Sequence, residues 1–175
     1  DVSNFNLWST ILDDVDYITP PAYQIINSKY WTPQNRSRII MLFFHKDHAD
    51  NELMDQITLE LKDLKNGGNR IPPPFSSIQD TDPDKSYQIP QGTYQALIRH
   101  RDAHRHKGNG WGFGLMEDFT KQTRTLSARY AKDGAEILIK QKYWRRPRKI
   151  TMNEAKGLMG FNDDYARKYG HDNGF

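Results

Sequence analysis

His45 with His48, and His100 with His104, are spaced to bring two imidazoles together, yet neither pair has a third ligand close by in sequence. The chain also contains no cysteine. A zinc site therefore lacks donors, and exposed or phosphate-facing histidines are the simpler reading. Zero cysteine further excludes disulfides and any thiol nucleophile carried by these residues. Two acidic groups, Asp13, Asp14 and Asp16, then Asp80, Asp82 and Asp84, have neither the glycine nor the distal glutamate of a calcium loop. They read as solvated loop acids. Four glycines alternate through Lys107-Gly108-Asn109-Gly110-Trp111-Gly112-Phe113-Gly114. Glycine permits close backbone approach, so this stretch could lie against a DNA backbone or simply make a glycine/aromatic turn. It is not a nucleotide-triphosphate loop, because no Gly-Lys-Ser/Thr follows. Arg145-Arg146-Pro147-Arg148-Lys149 could contact phosphates, which orient a protein on DNA without reading sequence, or could serve solubility alone.

The charge distribution separates these features. Residues 1–98 carry eight Lys/Arg against thirteen Asp/Glu, whereas residues 99–150 carry fourteen against five. A segment this basic, interleaved with Trp111, Phe113, Tyr130, Tyr143 and Trp144, has the composition of a nucleic-acid footprint or of a solvated basic face. Apolar residues make up 36% of the 175. That sustains a modest core and is too little to close a large α/β sheet unaided. No run approaches the roughly 18–20 apolar residues that span a bilayer. Asp1-Val2-Ser3-Asn4 lacks the basic and apolar regions of a signal peptide, so a cytoplasmic protein without membrane association is expected.

The elements that must position these residues are legible in part. Tyr23–Asn27 and Arg38–Phe44 read as two buried strands on either side of a turn at Pro33. The second is apolar for six consecutive residues, as in strands covered on both faces of a doubly wound α/β sheet. No βαβ units elsewhere supply such a sheet. Asp50 to Lys65 reads as a helix with Leu53, Ile57, Leu61 and Leu64 on one face, stopped by Gly67-Gly68. Residues 66–92 form a long loop, 93–106 a second helix ended by Gly108, and Thr123–Tyr130 with Ala135–Ile139 a hairpin turning at Lys132-Asp133-Gly134. Thr151-Met152-Asn153-Glu154 is a capping box opening a helix that Gly160 closes.

Three segments together resemble a known family. Pro33-Gln34-Asn35-Arg36-Ser37-Arg38-Ile39 resembles the Q-x-R-x-R element, motif VIII, of DNA cytosine-5 methyltransferases, and an apolar strand follows it as in that family. Arg146-Pro147-Arg148-Lys149-Ile150-Thr151, with Glu154-Ala155 and Leu158-Met159-Gly160-Phe161, resembles motif IX. Between them, Gly108–Gly114 and the stretch from Thr123-Arg124-Thr125-Leu126-Ser127-Ala128-Arg129-Tyr130 to Asp133-Gly134-Ala135-Glu136-Ile137-Leu138-Ile139 look like a Dcm-type target-recognition segment. The resemblance covers roughly residues 22–161. The family's glycine-rich S-adenosylmethionine motif, Pro-Cys nucleophile, Glu-Asn-Val glutamate and final Gly-Asn-Ser element are missing from the chain.

The resemblance implies the small subunit of a two-polypeptide cytosine-5 methyltransferase of a restriction-modification system (EC 2.1.1.37 type), inactive alone. A larger polypeptide would bind S-adenosylmethionine and supply the nucleophile, forming a heterodimer on double-stranded DNA. The expected fold is an α/β fragment plus an α+β part: N-terminal strands complete the partner's Rossmann-like sheet, and a small irregular target-recognition domain follows. The corresponding division is 1–46 for the catalytic fragment, 47–147 for target recognition and 148–175 for the motif IX helix and tail. In the family the target cytosine is flipped out of the duplex, since its ring carbons are unreachable within the stack. The second arginine of motif VIII meets its O2. Here that is Arg38, the single expected catalytic residue, with Arg36 anchoring the loop. Expected DNA contacts are Arg36, Lys107, Asn109, Trp111, Gln122, Arg124, Thr125, Leu126, Arg129 and Arg148. Arg124 and Arg129 suit guanine O6 and N7, and Arg148 a phosphate. Rival readings are a stand-alone sequence-specific DNA-binding module and a non-functional remnant.

Overall fold

The computed structural model describes residues 2–18, 24–48, 50–110 and 112–161. The chain divides into two compact units, Asp1–Asn27 with Ser37–Arg70, and Ser28–Arg36 with Ile71–Phe175. The architecture is mixed α/β, with three small two-stranded sheets among the described residues.

In the first unit, α1 (Val2–Asp13) packs on β1 (Tyr17–Ile18), which pairs antiparallel with β4 (Phe44–His45). The strands β2 (Gln24–Asn27) and β3 (Ser37–Ile40) pair antiparallel, with Ile25 opposite Ile39 and Ile26 opposite Arg38. Two sequence expectations need correction here. The apolar run does not form one strand through Phe44: β3 ends at Ile40, and Phe44 begins β4 in another sheet. Nor are the strands buried, since Ile25 is 48% and Ile39 52% exposed. A two-stranded ribbon has one neighbour per strand, and Ile25 and Ile39 remain exposed although α2 packs on β2. Tyr23 lies outside the described residues.

Helix α2 (Asn51–Asn66) follows the sequence reading closely. The Asp50 side chain accepts the Leu53 N–H at 2.6 Å, and Gly67 ends the helix in the left-handed region at φ 75°. These caps satisfy backbone groups that the helix itself leaves open at each end. The helix packs on β2, half-burying Ile57, Leu61 and Leu64, while Leu53 remains exposed.

The second unit is built on a small core of Phe75, Ile137, Ile139, Ile150 and Leu158, with Phe119, Leu126 and Tyr130 packed against it. The long loop thus donates a core residue at Phe75. Helix α3 (Gln91–His106) ends at Gly108, whose φ of 72° lets the chain turn away. The anticipated hairpin is absent. Strand β5 (Leu115–Met116) pairs parallel with β6 (Leu138–Ile139), and Tyr130–Asp133 is a single helical turn, α4, closed by Gly134 at φ 54°. The physical reason is the Tyr130 hydroxyl, which donates to Ile137 O at 2.7 Å and accepts from Ile150 N at 2.9 Å. Burial pushes the ionisation of this phenol upward, and nearby Glu136 and Glu154 add to the shift. Helix α5 (Met152–Met159) carries the capping box, with Thr151 and Glu154 each satisfying the other's backbone N–H, and closes at Gly160.

Candidate DNA-recognition site

The site is organised from two buried polar hubs in the second unit. The first is Arg148 with Glu154, both 0% exposed. The two guanidinium Nη atoms each donate to a Glu154 carboxylate oxygen at 2.7 Å. Arg148 also donates to Gln141 Oε1 at 3.0 Å, Lys149 O at 3.0 Å and Asp80 O at 3.1 Å. Glu154 accepts the Thr151 and Asp80 backbone N–H groups. A charged pair taken out of water persists only with such full pairing. The expected phosphate contact at Arg148 is therefore corrected: its donors are spent inside the protein, where they tie the Asp80 loop to α5.

The second hub is Gln34, 1% exposed. Residues 33–35 run parallel to residue 123: Thr123 N donates to Pro33 O at 2.9 Å and Asn35 N to Thr123 O at 2.9 Å. Gln34 Oε1 accepts the Leu126 N–H at 2.6 Å, and Nε2 donates to Leu158 O at 2.9 Å. Thr125 Oγ1 donates to Asn35 O at 2.8 Å, and Arg36 Nη1 to Leu126 O at 3.1 Å. Sequence reasoning passed over Gln34. Its signal was a polar amide held between Pro33 and two arginines, in a motif that drew attention to the arginines.

The glycine-rich stretch meets this loop from the other side. Arg124 Nη1 donates to Gly112 O at 3.2 Å. A Cβ at Gly114 would lie 2.1 Å from Glu136 O, and one at Gly112 2.9 Å from Arg101 Cγ, so both positions require glycine for close approach. The Arg101 guanidinium sits 5.3 Å from the Phe113 ring centre. Asn109 lies against His104, Nδ2 to Nδ1 at 3.4 Å, at the end of α3 beside exposed Lys107. Ser127 donates to Glu136 and accepts the Arg129 N–H at 3.2 Å. Glu136 is the second participant missed in sequence. Its other carboxylate oxygen, Oε2, is buried without a hydrogen-bond partner.

The remaining candidates are placed as follows. Gln122 turns its amide to Pro73 O at 3.2 Å. Trp111 lies outside the described residues. Arg38 stands exposed on β3 in the first unit, its Nη1 donating to Ser37 O at 2.7 Å. Asp13 and Asp16 engage Lys46 at 3.0 and 3.6 Å. Hydrogen bonds from Ser86 hold the Asp84 carboxyl below its ordinary range. The His45–His48 and His100–His104 ring centres are 5.9 and 4.4 Å apart. Among the described residues no three His, Asp or Glu side chains gather to hold a metal ion.

A concavity of about 550 Å³ is lined by Gln79, Thr81, Phe119, Lys140, Gln141, Lys142, Tyr143 and Trp144. Among the described residues no helix is long and apolar enough to cross a membrane.

Comparison with known proteins shows the family. Residues 3–172 match the family model for C-5 cytosine-specific DNA methylases. The chain is 33% identical to the type II methyltransferase M.SsoII of Shigella sonnei over 162 residues, 92% of this chain and 40% of that protein. It is 35% identical to the type II methyltransferase M1.ScrFI of Lactococcus lactis subsp. cremoris over 154 residues, 88% and 37% of the two chains. It is 31% identical to the DNA-cytosine methyltransferase of Escherichia coli K12 over 168 residues, 86% and 34%. The chain thus spans between about a third and two-fifths of the length of these curated relatives. A family match over almost the whole chain and relatives at 31–35% identity lead to one conclusion: the chain belongs to the C-5 cytosine-specific DNA methylases, an S-adenosylmethionine-using family with relatives in restriction-modification systems.

Proposed function

We propose that this chain is the DNA-recognition subunit of a cytosine-5 methyltransferase, positioning duplex DNA and the flipped cytosine for chemistry centred on a larger partner polypeptide. The observation that carries this reading is the joining of the Pro33–Arg36 motif to the Thr123–Leu126 loop by backbone and side-chain hydrogen bonds. It fixes the first arginine of the motif, Arg36, to the proposed base-reading loop within the second unit. In this reading the larger polypeptide holds S-adenosylmethionine and supplies the cysteine nucleophile. The partner's Rossmann-like sheet covers the exposed β2–β3 ribbon.

Residue roles follow from chemistry. The Arg38 guanidinium stays charged and offers directed donors to cytosine O2 as charge develops on the ring. Arg124 and Arg129 flank Leu126 and present donors for guanine edges. Lys107 and Asn109 approach the DNA from the glycine-rich stretch, with Trp111. Arg36, Thr125 and Leu126 hold the loop in position, and Gln122 takes a lesser share. Functionally, residues 1–46 belong with the catalytic domain, 47–147 with target recognition, and 148–175 with the motif IX helix.

Co-expression with a neighbouring reading frame that encodes a Pro-Cys motif and a glycine-rich loop, followed by transfer of labelled methyl groups to duplex DNA, tests the proposal. Activity should require both chains. Arg38→Ala should lower kcat by about 10²–10³-fold with assembly intact. Full activity from the large chain alone would overturn the reading and leave a DNA-binding module or a remnant.

A further inference from the structure

We infer that Gln34 is a positioning residue that sets the Thr125–Arg129 loop for site discrimination, an inference that rests on the DNA-recognition reading above. Its side chain amide is buried, at 1% exposure, and uses both ends on different elements. Oε1 takes the Leu126 N–H in the middle of the loop, and Nε2 gives a proton to Leu158 O. Leu158 lies in the last turn of α5, where carbonyls have no partner within the helix. Gln34 thus fills an open acceptor of the helix and an open donor of the loop with a single rigid group.

The geometry around it leaves the loop little freedom to shift register. Thr123 is pinned to Pro33 and Asn35 by backbone bonds, and Leu126 is pinned by Gln34 on its nitrogen and Arg36 on its oxygen. Arg124 and Arg129 stand on either side of these fixed points and are exposed. Base reading by arginine demands that the guanidinium meet two acceptors at once, a requirement more sensitive to displacement of the backbone than phosphate contact is. Loss of Gln34 therefore weakens discrimination between DNA sites more than it weakens binding to DNA in general. A carboxamide is needed because the position requires an acceptor and a donor together. Glutamate supplies only the first, and an apolar side chain of equal length supplies neither.

Gln34→Met and Gln34→Glu test this in two arms. In the full chain alone, hydrogen exchange at the Leu126 amide should accelerate at least about tenfold in Gln34→Met and stay near the native rate in Gln34→Glu. In the co-expressed pair, bisulfite sequencing of methylated plasmid should show the preference for the cognate site over one-base variants falling about tenfold in Gln34→Met. An unchanged Leu126 exchange rate in Gln34→Met overturns the inference. So does a lowered melting midpoint with unchanged site preference, the signature of a purely structural side chain. If the native pair transfers no methyl groups, the methyltransferase reading fails by itself, while the exchange arm still decides whether Gln34 holds the loop.

Discussion

Arg148 and Glu154 illustrate how burial changes what a residue type means. An arginine in a basic run beside a capped helix suits a phosphate, and nothing in the run itself marks it as turned inward. The sign is three residues beyond Thr151: Glu154 satisfies the helix cap and has a second oxygen free to pair, and the pair sits at 0% exposure. Glu154→Gln should leave an uncompensated buried guanidinium at a cost of about 3–5 kcal/mol. In a chain of this size that lowers the melting midpoint by roughly 10 °C. Thermal unfolding followed by circular dichroism checks it, and a shift under about 2 °C would show that the pair is dispensable. Arg36 divides in the same way, since its visible partners are Leu126 O and Met159 Sδ.

Among the elements, those with local end signals were legible. Asp50 and Gly67 bound α2, Thr151, Glu154 and Gly160 bound α5, and each cap is a chemical requirement of its own helix. The failures were elements whose partners are distant in sequence. Nothing near Leu115 announces a parallel pairing with Leu138, and alternation between Thr123 and Ile139 is equally compatible with the hairpin that did not form. The candidate loop was found from its Thr-Leu and arginine pattern, whereas the residue that holds it, Gln34, is 92 positions away from Leu126. Gly114 shows what close parallel pairing demands. Gly114→Ala would place a Cβ 2.1 Å from Glu136 O and force β5 and β6 apart, at about 1–3 kcal/mol. Slow-exchanging amides at Leu138 and Lys140, which donate to Gly114 O and Met116 O, report it directly. Retention of their protection would show that the strands tolerate the separation.

At the scale of the whole molecule, the first unit exposes apolar surface on both its sheet and its helix. Ile25 and Ile39 face each other across the ribbon, while Leu7, Trp8, Ile11 and Val15 are 58%, 52%, 44% and 55% exposed around α1. Exposed apolar side chains suit an interaction face, and an uncovered strand ribbon invites association. Ile25→Lys with Ile39→Lys should reduce self-association of the isolated chain and abolish co-purification with the large polypeptide, as read by sedimentation and by pull-down. Unaltered co-purification would place the partner's contact elsewhere. The interleaving of the two units also bears on how sequence preference could be exchanged between such enzymes. Ser28–Arg36 joins the second unit while the strands on either side of it belong to the first. A specificity transplant cut at Ile71 alone would carry the proposed base-reading loop to a new host without its native clamp. The portable cassette is bipartite, and grafts that move Pro33–Arg36 together with residues 71–161 should keep the donor's preference where single-segment grafts blur it.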